Sequence, residues 1–232
     1  PGKEFTLSAA RISEMCFDCH DEIEDRLDNN PVVHQAIREA KQCISCHNPH
    51  SSPRRKLLRK ALPELCFTCH NGKPTDTASR PVRSLNLRYK ILFAQSVHEP
   101  AADGDCLDCH EPHAAPRHDL LSENFPGGNY APGKVDTFSL CFDCHDPEMI
   151  EEPTTREYTN FRDGDRNLHY VHVTREKGRS CRNCHDLHGS DQPHLIATEV
   201  PFGKWKMPIR YEASQQGGSC LPGCHERREY RR

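Results

Sequence analysis

The chain has 232 residues, 34% of them hydrophobic, with 31 Lys and Arg against 34 Asp and Glu for a formal net charge of −3. That balance excludes the basic surface of a nucleic-acid-binding domain, and no apolar run approaches the ~20 residues that span a bilayer. A chain with a mean hydropathy of −0.84 buries too little apolar surface to offset its conformational entropy, so something other than side chains must supply the core.

The 14 Cys and 16 His indicate what that is. In chain order every Cys falls in a pair and a His follows each pair: Cys16, Cys19 and His20; Cys43, Cys46 and His47; Cys66, Cys69 and His70; Cys106, Cys109 and His110; Cys141, Cys144 and His145; Cys181, Cys184 and His185. The seventh group, Cys220, Cys224 and His225, has one more residue between its thiols, and Pro222-Gly223 should make it a loop. C-x-x-C-H is the attachment signature of c-type haem. Two thiols add to the two vinyl groups as thioethers. On a helical turn i, i+3 and i+4 share a face, so the adjacent His reaches the iron from the proximal side. Zinc sites, disulfides and a redox C-x-x-C do not require a His after each pair. The expected cofactor is therefore seven haem c groups. The expected fold is mostly irregular with short α-helices, its core a stacked chain of seven haems, with no sheet and no separable domains.

A repeat runs through this pattern. Each repeat reads C-x-x-C-H, Val-His, then C-x-x-C-H-x-x-His and a polar stretch ending in two aliphatics. The first spans about 15–58, with Val33-His34 and His50; the second 65–121, with Val97-His98 and His113; the third 140–196, with Val171-His172 and His188; a truncated fourth covers 197–232. His47 to Leu58, His110 to Leu121 and His185 to Ile196 align without a gap. The recurrence of His34, His50, His98, His113, His172 and His188 makes them the expected distal ligands. His47 and His50 cannot bind one iron from opposite faces. Three residues span at most about 10 Å, so His50 must serve an adjacent haem. The pairing expected here gives the Val-His residues to the even-numbered haems and His50, His113 and His188 to the first, third and fifth. His169 is the first choice for the seventh haem, with His194, His118 and Met207 behind it. Between the motifs, Leu85, Leu87, Tyr89, Ile91 and Phe93 alternate as a short strand or a haem-covering segment would, and Trp205 reads as a haem-packing aromatic.

The run Leu-Cys-Phe-Asp-Cys-His, Val-His, Cys-x-x-Cys-His-x-Pro-His resembles the doubled C-x-x-C-H family of multihaem cytochromes over nearly the whole chain. More locally, Phe161–His172 and Gly217-Gly218-Ser219-Cys220 are similar to the C-terminal part of cytochromes from metal-respiring bacteria. The resemblance implies bis-His low-spin haems in the periplasm or outside the cell. The expected function is electron transfer with other redox proteins, such as cytochromes, quinol oxidisers or outer-membrane conduit components; no catalytic residues are expected, because the nine His outside the motifs exceed the seven haems and no Cys-x-x-Cys-Lys motif occurs. Two alternatives stand beside that expectation: a subunit that self-associates into an extracellular filament, and a reductase with one open haem. Mass spectrometry of the matured chain is expected to find seven haems, and replacing Cys43 and Cys46 by Ala should remove one; six or fewer in the wild type would implicate the stretched motif.

Overall fold

A computed structural model describes residues 8–38, 42–72 and 86–232. Leu85, counted above in an alternating segment, lies outside them. Secondary structure is sparse and short, as a polar, turn-rich chain dictates. At each of the six regular motifs the first thiol lies on a helix or a single turn: Ala9–Phe17 carries Cys16, and 3₁₀ or α turns cover Gln42–Ser45, Cys66–Thr68, Cys106–Asp108, Ser139–Phe142 and Cys181–Asn183. In each, the His amide donates to the carbonyl of the first Cys, at 2.9–3.1 Å, so the five-residue motif closes one helical turn.

The described residues form two compact units. One takes in those within 1–88 and 103–122, the other 89–102 and 123–232. In the first, strand Val32–Val33 pairs antiparallel with Ala114–Ala115, which are almost fully buried. In the second, Ser96–Val97 pairs with Gly189–Ser190 in the equivalent way. The repeat thus builds the same ladder twice, each time joining the Val of a Val-His to the residues just after the following x-x-His.

The second unit also contains a four-stranded antiparallel sheet, which corrects the expectation of none. Glu199–Phe202, Trp205–Ser214, Gly217–Pro222 and Arg228–Arg231 lie side by side in chain order. Its buried face packs Val200 and Ile209 on Ala197, with Met207 and Cys220 beside them. The period-2 run Met207, Ile209, Tyr211, Ala213 carried this signal. Leu87–Phe93 is a helix and not a strand. Leu, Arg and Lys favour that conformation, and Tyr89 and Phe93 meet at i, i+4 with centroids 5.1 Å apart. Trp205, expected to pack on a haem, sits at a hairpin turn and is 79% exposed.

Helix Leu168–Val173 is fixed by Asn167, which is fully buried. Its side-chain oxygen accepts from the Tyr170 amide as an N-cap, and its amide donates to the carbonyls of Met149 and Glu152 at 2.9 and 2.8 Å. At the other end Gly178 passes against the Val173 carbonyl, and a Cβ there would lie 1.9 Å from that oxygen. Asn167→Ala removes the cap and strands two buried carbonyls, so thermal or denaturant unfolding should show a loss of about 2–4 kcal/mol; a change below about 0.5 kcal/mol would mean the helix is held elsewhere.

Candidate haem-binding site

The second motif of each repeat carries a loop that fixes its proximal ring. Nδ1 of His47, His110 and His185 donates to the carbonyls of Lys56, Asp119 and His194, at 2.7, 2.9 and 3.1 Å. The accepting residue and the Leu after it have positive φ in all three loops, between 53° and 58°. Backbone bonds close each loop on its motif. The amides of Asn48, Glu111 and Asp186 donate to the carbonyls of Leu57, Leu120 and Leu195, at 2.8, 2.7 and 2.8 Å. The second Cys of each motif takes part as well: the carbonyls of Cys46, Cys109 and Cys184 accept from the amides of Arg59, Ser122 and Ala197, at 2.8, 3.0 and 2.8 Å. A ring that donates from Nδ1 keeps the Nε2 lone pair for a metal. His194 is thus the residue whose carbonyl orients His185, and its own ring lies edge-on to Tyr211. His118 takes the position before the accepting residue, and its Nδ1 contacts the Asp119 carboxylate.

Five imidazole pairs face one another. His34 and His70 have centroids 6.3 Å apart, His47 and His113 6.1 Å, His98 and His145 6.1 Å, His169 and His185 6.3 Å, and His172 and His225 6.5 Å, with interplanar angles of 10–37°. In-contact stacking would put ring atoms about 3.5–4 Å apart. Two metal–nitrogen bonds of about 2 Å, plus the distance from each nitrogen to its ring centre, give a little over 6 Å. The spacing fits an iron between each pair, and every pair joins one motif His to one His outside the motifs.

Burial keeps the rings in the neutral, ligating form. It is the main cause that lowers the pKa of His34, His70, His98, His113, His172 and His185, and it takes His169 down to about 3. The positive charge of a protonated facing ring lowers His34, His98, His113 and His169 further. Nδ1 of His169 lies 2.9 Å from Thr159 Oγ1, and Phe161 packs against both His169 and His172. Sequence reasoning missed Thr159 and Phe161 as orienting residues; nothing in the repeat marks them.

The partners differ from those expected. His34 and His98 face the rings of the third and fifth motifs, not of even-numbered ones, and His113 faces the second. His169 faces the sixth motif, and His172 faces the seventh. Met207 lies against Gly223 and the Cys224 sulfur, at 3.5 Å from the latter. The stretched motif sits at the end of strand Gly217–Pro222, without the helical turn of the other six. His188 accepts from the His98 amide through its backbone, as His113 does from His34. His20 and His50 face no other ring among the described residues, and all sixteen His are described.

The doubled CXXCH motif family matches residues 34–75, 98–150 and 172–203, more than half of the chain. Those matches begin at His34, His98 and His172, so the frame they define runs from a Val-His through the next two motifs. All fourteen thiols are free of disulfides, among them Cys109, which is half-buried beside the turn Cys106–Asp108. With these thiols available for attachment and the rings paired at metal-spanning distance, this chain belongs to the doubled-CXXCH family and is a multihaem c-type cytochrome with covalently bound haem. It is 25% identical over 213 residues to the multiheme cytochrome MtrA of Shewanella baltica (strain OS185), an alignment that takes in 83% of this chain. The chain spans 62% of the length of that relative. No helix of the described residues is long and apolar enough to cross a membrane.

In the unfolded chain His169 takes up a proton below about pH 6.5, whereas in the folded chain burial delays protonation to about pH 3. The unfolded state then binds more protons, so stability rises with pH across that window and is lost as pH falls. Unfolding titrations between about pH 7 and 4 should show this slope, and His169→Met should make it shallower; an unchanged slope would mean that His169 is not among the groups responsible.

Proposed function

We propose that this chain binds seven c-type haems and passes electrons along them, in sequence order within each compact unit, as a periplasmic or extracellular carrier or conduit between other redox proteins. The observation that carries the proposal is the meeting of successive attachment thiols. Cys16 adjoins Cys43, Cys46 adjoins Cys69, and Cys66 adjoins Cys106. Cys141 adjoins Cys181, and Cys184 adjoins Cys220 and Cys224. In the first unit first thiol meets first thiol, then second meets second, then first meets first; in the second unit first meets first, and the second thiol Cys184 meets both thiols of the stretched motif. Each sulfur tethers one porphyrin edge, and the tethers of consecutive groups are thereby brought together. Cys109 is the last thiol of the first unit. With Cys106, it would tether the fourth haem.

Bound haem iron supplies a one-electron couple. His20, His47, His70, His110, His145, His185 and His225 would hold it as the motif ligands, and His34, His98, His113, His169 and His172 would supply the second imidazole to the motif rings that they face. By repeat equivalence His188 has the role of His113. At the five facing pairs the rings leave no position for a substrate oxyanion, which favours a carrier over a reductase. Burial of the thiols raises the pKa of Cys16, Cys46, Cys184 and Cys220, Cys184 to about 12. Before attachment these are neutral thiols that neither repel one another as thiolates nor need counter-charges.

Protein-film voltammetry of the haem-loaded chain should show reversible reduction without a catalytic wave when nitrite is added; a sustained catalytic current would turn the assignment to a reductase. His98→Met should convert one iron to His–Met ligation, raise one potential and leave the others in place. Removing Cys141 and Cys144 by Ala substitution should delete the same signal. If His98→Met moves no potential, His98 is not a ligand.

A further inference from the structure

The junction of the last two motifs carries a fixed positive charge. Arg179 lies on a short antiparallel contact with Tyr130. On either side of it, the Ala131 amide donates to the Gly178 carbonyl at 3.1 Å and the Ser180 amide to the Asn129 carbonyl at 3.2 Å. The amide of Arg179 donates to the carbonyl of His172 at 2.9 Å. Its guanidinium lies 4.5 Å from the centre of the Tyr130 ring and 5.8 Å from that of Phe202. Aromatic faces attract a guanidinium without neutralising it, and the group keeps its charge at any ordinary pH. That charge is felt on both sides of the junction. Burial raises the Cys184 thiol, with Cys220 and Cys224 beside it, and the Arg179 charge opposes that rise. Burial lowers the His172 ring, and the charges of Arg175 and Arg179 lower it further. Arg175 is exposed, so solvent screens it, whereas Arg179 is half-buried. Asp186, the carboxylate next to His185, is paired with Lys90.

The fifth motif has the opposite surroundings. Asp143 lies within it and Asp146 follows its His145. The Asp146 carboxylate accepts from the Glu148 amide at 3.2 Å. Glu148, then burial and Asp146, push up the phenol of Tyr158, so these carboxylates gather there. On the other side of the ring pair, burial and His145 lower His98, and the charge of Glu99 opposes that lowering. Reduction adds one negative charge to a haem, so a nearby cation stabilises the reduced form and a nearby anion the oxidised form. We propose that Arg179 sets the direction of electron flow in this unit: its charge holds the sixth and seventh haems at higher potential than the fifth. One electron then leaves a ferrous fifth haem and reduces a ferric sixth one, without a proton or a bond change. The inference rests on the haem-ligand reading above and adds to it a residue that binds no iron and acts through its charge.

The haem-loaded chain is reduced in steps and followed by electron paramagnetic resonance and protein-film voltammetry. His98→Met, His169→Met and His172→Met each mark one haem by replacing an imidazole with a thioether, and so assign the fifth, sixth and seventh signals. In the wild type the sixth and seventh haems should be reduced before the fifth. Arg179→Gln should lower both potentials by about 59 mV, a tenfold shift of each one-electron equilibrium, and move the fifth by much less. Arg179→Lys keeps the charge and should keep the order. Arg175→Gln, which removes an exposed charge near the same ring, should move the seventh haem by less than Arg179→Gln does. Reduction of the fifth haem first in the wild type would overturn the proposal, whatever the variants do. So would unmoved potentials in Arg179→Gln, or equal losses in Arg179→Gln and Arg179→Lys, which would mean packing and not charge. Failure of the haem-ligand reading itself would appear separately, as three Met variants that leave every signal unchanged.

Discussion

Two imidazole rings from distant points of the chain, held a little over 6 Å apart, are the constraint on which the structure depends. His34 meets His70 across 36 positions, His47 meets His113 across 66, and His98 meets His145 across 47. A chain that is one-third hydrophobic has a small apolar core: among the described residues thirteen apolar side chains are buried, spread over many short elements. Helices of one or two turns and two-residue strands are too short to be stable alone. Each makes sense as a device that delivers a ring or a thiol. The Val-His strand, the x-x-His edge and the C-x-x-C-H turn are three such devices, and the ladder between the first two places rings for two different motifs on adjacent strands.

The loop after each second motif shows how the ring itself is held. Two successive residues with positive φ, one of them a Leu, are costly by roughly 1–2 kcal/mol each for L-residues. The conformation persists at Lys56-Leu57, Asp119-Leu120 and His194-Leu195. It turns one carbonyl toward the Nδ1 of the motif His nine residues earlier, and it lets the next carbonyl accept from the residue after that His. A third bond returns the chain to the carbonyl of Cys46, Cys109 or Cys184, so the turn that carries the thiols and the turn that orients the ring are one closed structure. The cost is offset by these three hydrogen bonds and by an imidazole with one tautomer. The ungapped alignment of twelve residues in three repeats reflects this: an insertion would move the accepting carbonyl off the ring.

Attachment thiols, motif histidines and the repeat were all legible in the sequence because covalent chemistry fixes their spacing. The partner of each ring was not. A periodic sequence does not state where its unit begins, and taking the first motif as the start grouped each Val-His with the motif before it. The folded chain groups His34 with His70 and His98 with His145, motifs that follow. The C-terminal sheet was marked by alternation from Met207 to Ala213, but Pro208 and the charged Arg210 and Glu212 disguised it. In Leu87–Phe93 the opposite happened: the alternating apolar residues also place Tyr89 and Phe93 four apart, and helix propensity decided between the two. Thr159 and Phe161, which hold His169 and His172, lie in the spacer between His145 and Val171, outside the motifs that recur from repeat to repeat.

The two ends of the ligand pattern differ for a physical reason. At His47 the facing ring comes from the x-x-His of the following repeat, His113. At His185 it comes from His169, three residues before His172 on one short helix. Residues three apart share a helix face, and Phe161 packs on both rings while they point to His185 and His225. Helix Leu168–Val173 thereby provides two rings where the earlier Val-His segments provide one, and the buried Asn167 that caps it is what allows this. The last facing pairs close within their own unit, and the four-stranded sheet covers the stretched motif with Met207 on Gly223.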